Sequence, residues 1–177
     1  MRNSILTVLF CLPFLVFAQD NEAKSDFAKE FGPVWERAKE FTLEVAEAMP
    51  AEKYQYRPNE EVDTYAGHLI HTANNWFGLC GRFVKEEGWP LDDEIDSETA
   101  TKEEVIKHLK ASFAYADEAF YGLTDEELES EAPKFWSKGA TKKVVLMLMR
   151  DHMTHHRGAL VIYLRENGIK PPRYRGW

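Results

Sequence analysis

The stretch DHMTHHRG, from Asp151 to Gly158, sets three histidines within five positions of a segment whose apolar residues recur at helical spacing. Imidazole near neutral pH can pass protons, pair with buried polar groups or ligate a transition metal, so direction decides which chemistry is open. A helix turns about 100° per residue. With Val145 as reference, His152 and His156 fall within about 40° of the core-facing direction, beside Met149, Ala159 and Tyr163. His155 lies about 80° away on the flank, and Asp151, Thr154 and Gly158 face outward. The i, i+4 spacing stacks His152 and His156 on adjacent turns, where both can reach one ion. Burying an imidazole with a ring nitrogen unpaired costs about 1–3 kcal/mol. A shared metal satisfies one nitrogen on each ring at once. A lone histidine here would read as a hydrogen-bonded core residue; for the pair, core and metal readings stand level.

A third ligand must come from another helix facing the same interior. The segment YAGHLIHTANNWFGLC offers His68 and His71. With Tyr65 as reference, His68 lies about 70° from the centre of the apolar stripe and His71 about 130° away. His68, His152 and His156 are therefore the expected ligands, and His71 is expected at the surface. His108, between Lys107 and Leu109, also reads as exposed and without a role. Three imidazoles suit zinc or nickel, and leave positions for water or substrate. The metalloprotease glutamate of HExxH is absent, because Met153 follows His152. Asp151, Glu60 and Glu61 are candidate proton-transfer groups, against a simpler reading as solvated charges. Cys80 lies about 18 Å along the helix from His68, too far to join it.

Four segments must position these residues. Phe27 to Met49 carries Phe31, Trp35, Ala38, Phe41, Val45 and Met49 along one side, with Gly32-Pro33 as either a kink or the true start. The second runs from about Thr64 to Glu87. The third opens with a capping box, Thr101 to Glu104, and a second box, Thr124 to Glu127, begins a short helical turn. The fourth runs from about Thr141 to Glu166 and stops at Asn167-Gly168, before Pro171-Pro172. No segment alternates as a strand would. The expected fold is all-α, a four-helix bundle.

The chain of 177 residues is 44% hydrophobic and 29% charged, in the range of a folded globular domain. Its first 18 residues, MRNSILTVLFCLPFLVFA, read as a secretory signal peptide: Arg2, an apolar run from Ile5 to Phe17, and Ala18 before a polar segment. That run is short for a membrane span. The expected organisation is a signal peptide over 1–18 and one bundle domain over 19–177. The expected location is periplasmic or extracellular, with no stable membrane insertion after cleavage. Cleavage removes Arg2 and no acidic group, moving the formal charge from −8 to −9. Such acidity argues against nucleic acid and anionic membrane surfaces. Cys80 would be the one cysteine left, so no internal disulfide is expected.

The two stretches YRPNEEVDTYAGHLIHTANNWFGLC and DHMTHHRGALVIYLRENGIKPP resemble the DinB superfamily of four-helix-bundle metalloproteins, which includes YfiT-like metal-dependent hydrolases. HxxxHHRG followed by LRxNGxxPP is the more specific of the two. Ala159 departs from the Gln that many relatives carry after HRG, and a signal peptide departs from a largely cytoplasmic family. The resemblance implies a metal held by one histidine of the second helix and the HxxxH pair of the fourth, carried over as His68, His152 and His156. It also implies a homodimer through helix faces. Some members are thiol-dependent transferases or isomerases. An exported protein would meet little cytosolic thiol, which favours metal-assisted hydrolysis of an unidentified small-molecule substrate. A non-catalytic bundle braced by its metal is the alternative from another class.

Overall fold

A computed structural model of the chain describes residues 22–91 and 95–175. The expected signal peptide at 1–18 lies outside the described residues. Five α-helices follow one another: α1 (Asp26–Ala48), α2 (Tyr65–Leu79), α3 (Lys102–Gly122), a short α4 (Asp125–Glu129) and α5 (Lys142–Glu166). The four long ones form the bundle. Around it, α1 packs against α3 and α5, and α2 packs against the same two helices. Among the described residues there is no β-strand, only an isolated bridge between Glu131 and Thr141. No helix among them is long and apolar enough to cross a membrane.

Local chemistry explains most helix ends. Ser25 starts α1 by accepting from the Ala28 amide, so Pro33 lies inside that helix rather than at its start. The backbone amides of Asp26 and Phe27 also donate to the Asp125 carboxylate of α4, at 2.8 and 3.3 Å. Both expected capping boxes form, at Thr101–Glu104 and Thr124–Glu127, and each such cap stabilises its helix by about 1 kcal/mol. The last turn of α1 has no basic residue. Its carbonyls are satisfied from outside: the Tyr54 and Tyr65 hydroxyls donate to Ala46 and Val45, and the Lys102 ammonium donates to Glu47 and Met49. These bonds hold the start of α2 against the end of α1.

The second helix departs from expectation. Its α-helical part stops at Leu79, and a π-helical turn, Cys80–Val84, carries it on. The Lys85 amide reaches the Cys80 carbonyl, five residues back, at 2.8 Å. Gly81 makes this close: a Cβ there would lie 2.3 Å from the Gly88 carbonyl oxygen. Cys80 is fully buried, and burial pushes its thiol up to about 12, so it is an inert core residue.

The core is aromatic at its centre. Trp35 of α1 stacks on Phe120 of α3 with centroids 4.3 Å apart, and meets Trp76 of α2 at 4.8 Å. The Trp76 indole N–H donates to the Met149 carbonyl of α5 at 3.0 Å. That bond fixes the height of α2 against α5, one turn from His152.

Candidate metal centre

The antiparallel seam between α2 and α5 gathers four of the six histidines. Trp76 pairs with Met149, His71 with His152, and His68 with His156, so sequence numbers rise along one helix as they fall along the other. The Nε2 atoms of His71 and His152 are 3.3 Å apart, and those of His152 and His156 are 3.1 Å apart. His71, His152 and His156 can each bring one ring nitrogen within 4.8 Å of the others, a group that could hold a metal ion. Nitrogens bound tetrahedrally to zinc at about 2.0–2.1 Å sit about 3.3–3.4 Å apart, so the two short edges match a ligand set.

His68 stands elsewhere than expected. Its Nδ1 lies 2.9 Å from His156 Nδ1, and its Nε2 lies 3.1 Å from the Tyr163 hydroxyl. Tyr163 donates in turn to the Asp63 carbonyl, at 3.0 Å. A carbonyl can only accept, and that fixes every proton along the row. Tyr163 gives its proton to Asp63, so its oxygen accepts from His68 Nε2–H. The neutral His68 then offers a lone pair at Nδ1 and accepts from His156 Nδ1–H. His156 is left with a lone pair at Nε2, aimed at His152. Of the expected trio, His152 and His156 belong to the group that could hold an ion, its third member is His71, and His68 instead stands behind His156.

The physical reason is where the seam runs. His68 and His71 lie on the α5-facing flank of α2, while Asn74 and Phe77 lie on the flank toward α3. Angular distance from the mean apolar stripe penalises a residue at the rim of one seam. His71 is exposed, as its angle implied, yet its ring turns back over the seam. The i, i+4 pair on α5 was legible because both residues sit on the stripe. Choosing between two histidines three apart on α2 requires the register of α2 against α5, which no residue pattern carries.

The electrostatics disfavour charge on three of these rings. Burial, and then the neighbouring imidazoles, push His156 down to about 3, and burial lowers His68 and His152 as well. His152 tests the fit to a cation. Its Nδ1 is buried with no hydrogen-bond partner among the described residues. A proton on Nε2 leaves Nδ1 an orphan acceptor. A proton on Nδ1 leaves an orphan donor, with two lone pairs facing each other 3.1 Å apart at His152 and His156. A cation between the rings turns that repulsion into shared coordination, so the donor set fits a borderline-soft divalent ion.

The remaining candidates divide. His155 is exposed on the flank, as expected. Asp151 pairs with Arg150, and Glu60 with Arg57, as solvated charges. His108 is buried, against expectation, because Asn74 of α2 supplies an acceptor 2.7 Å from its Nε2.

Comparison with known proteins places this arrangement. The sequence profile described as the DinB family matches residues 24–176. A curated relative, the uncharacterized protein YjoA of Bacillus subtilis strain 168, is 28% identical over 131 residues, covering 72% of this chain and 82% of YjoA. The crystal structure of that DinB-like YjoA superposes with a TM-score of 0.64 at 20% identity, covering 82% of this chain and 96% of the other. A DinB-like protein from Bacillus cereus ATCC 10987 superposes with a TM-score of 0.67 at 17% identity, covering 83% and 97%. At these identities the structures speak for the fold alone. With the profile running through both α2 and α5, the chain is a member of the DinB family.

Proposed function

We propose that this chain is an exported metalloprotein in which His71, His152 and His156 hold a divalent ion, zinc or nickel, and that it carries out metal-assisted hydrolysis of a small molecule. The observation that carries the reading is the convergence of three Nε2 atoms at a rim rather than in the interior. His156 is 9% exposed, His152 half-buried and His71 exposed, so the group opens toward solvent on one side. No carboxylate or thiolate belongs to the group. Three neutral nitrogen ligands with a solvent-facing side are the pattern of a site that admits water or substrate. A divalent ion there supplies Lewis acidity, enough to bring a bound water or thiol to ionise near pH 7.

The chain's own residues supply orientation. His68, Tyr163 and the Asp63 carbonyl hold the His156 ring in one tautomer, with Nε2 unprotonated. Trp76 pins the α5 backbone one turn away. The secretory character of residues 1–18 supports export, which disfavours chemistry that depends on cytosolic thiols. A purely bracing metal would call for a fourth protein ligand, and the exposure of His71 speaks against that.

Substitution with cobalt tests the reading. We expect one equivalent of Co(II), visible bands of low coordination number, and a shift of those bands on adding azide. His71→Ala should abolish the bands. A cobalt spectrum that azide leaves unchanged would favour the brace, and one that survives His71→Ala would exclude this ligand set.

A further inference from the structure

A charged cluster lies on another face of α5. Arg37, Arg150, Arg157 and Arg175 line one cavity of about 50 Å³, with Thr154 and Tyr174 beside them. Four guanidinium groups converge in a chain whose formal charge is −8. Their counter-charges are uneven. Arg175 pairs with Glu40 and Glu44, and Arg150 with Asp151. Among the described residues, no carboxylate pairs with Arg37 or Arg157.

Arg157 makes this gap consequential. It follows the HxxxHH motif, and an outer-face position would be expected for it. Instead it is 7% exposed. Its Nη1 donates to the Ala38 carbonyl and the Thr42 hydroxyl of α1, both at 3.0 Å, and its Nη2 donates to the Thr154 hydroxyl at 3.3 Å. The Phe41 ring lies 4.8 Å from its Cζ. All of these partners are neutral. Burial, and then the charge of Arg150, lower its guanidinium to about 10, which leaves it charged at neutral pH. Arginine cannot escape burial by losing its proton. The Nε atoms of Arg37 and Arg150 are also buried without an acceptor among the described residues. Charge and donors at one cavity therefore lack the same thing, an anion with several oxygens.

The cavity is the size of one phosphate or carboxylate group, too small for a nucleobase or a peptide. It continues into a wider groove of about 380 Å³, with which it shares Thr154, Arg157 and Tyr174. Phe41, Val161, Ile162, Pro171 and Pro172 make that groove largely apolar. We propose that the Arg37–Arg150–Arg157 cleft binds the oxyanion end of a small organic molecule whose apolar part lies along this groove. Paired guanidinium groups suit the recognition because each presents a planar fork of donors to two oxygens.

Calorimetric titration of the full chain with hexyl phosphate, hexanoate, inorganic phosphate and hexanol tests the proposal. One of the two hexyl anions should bind saturably, at least tenfold tighter than hexanol; the tighter one identifies the head group. Arg37→Gln and Arg150→Gln should each weaken it at least tenfold. Ile162→Ser should weaken the hexyl anion and leave inorganic phosphate unchanged. Arg157 also joins α1 to α5, so the two more exposed arginines are the deciding variants, with circular dichroism to confirm that they fold. Equal binding of hexanol, no saturable binding of either anion, or binding unaffected by both arginine variants overturns the proposal. So does binding lost in His152→Ala, which would put the anion at the histidines.

Discussion

Two polar clusters in this bundle have opposite characters. Between α1 and α3, the Lys39 ammonium lies 2.5 Å from Asp117 and 2.9 Å from Glu36, and Asp117 also accepts from the Trp35 indole at 2.7 Å. Each charge meets its opposite, and the strong donors find acceptors. Between α2 and α5, the histidines meet like groups. One Nδ1 has no partner among the described residues, and ring nitrogens of three histidines lie within 4.8 Å of one another near the surface. A closed network of this kind holds helices together; an open one is a place where something is still to bind.

Removing one charge from the closed cluster should give the largest effect. Asp117→Ala leaves Lys39, whose side chain is 7% exposed, with Glu36 alone and takes the acceptor from the Trp35 indole, and should destabilise the protein by about 2–3 kcal/mol. Urea unfolding would measure it, while metal content per folded molecule should not change. If Asp117→Ala were neutral, the contrast between the clusters would fail. The open cluster should show the reverse. His71→Ala or His152→Ala should lower metal affinity by about 100-fold or more, more than loss of a backing residue does. Elemental analysis after dialysis, with unfolding curves of the metal-free forms, separates the two effects.

A finer test separates ligand from support. His68→Phe and Tyr163→Phe should each weaken metal binding by about 10-fold, the range for residues that orient a ligand, and should shift the cobalt spectrum without abolishing it. An empty site in His68→Phe would return His68 to the ligand set. His155→Ala should change affinity least of all.

Acid should also tell the clusters apart. Burial holds His156 down at about 3 and lowers His68 and His152, so the metal-free folded state resists their protonation. The unfolded chain takes those protons below about pH 6.5. Stability from this cluster is therefore present above that pH and declines as pH falls toward about 3. Asp117 runs the other way: burial raises its carboxyl despite Lys39, so folding keeps its proton more readily and acid does not penalise it. Thermal scans of the metal-free protein between pH 7 and 4 should show a shallower decline in His156→Gln. Equal slopes would show that the histidines are not the acid-sensitive part.

The helices were legible where the code is local. Both Thr–Glu capping boxes, the stop at Asn167-Gly168 and the HxxxH pair stand in the sequence as the structure uses them. What was missed is tertiary. The end of α2 depends on Gly88 folding back onto Gly81. The burial of His108 depends on Asn74, and that of Arg157 on carbonyl and hydroxyl oxygens of α1. Which of His68 and His71 stands with His152 and His156 depends on how α2 slides along α5. Periodicity describes one helix at a time, and each miss involves a partner on another.

The bond between the start of α1 and Asp125 bears on the order of assembly. Helix ends normally fray, and their amides exchange with solvent quickly. The first amides of α1 are instead held by a side chain 99 residues further on. This clasp cannot close until the corner after α3 has docked, so the opening turn of α1 should be among the last parts to settle during refolding. Once closed, the clasp should make the Asp26 amide exchange more slowly than a free helix terminus. Asp125→Ala should restore that fraying without moving the histidines, a difference that hydrogen exchange can read residue by residue.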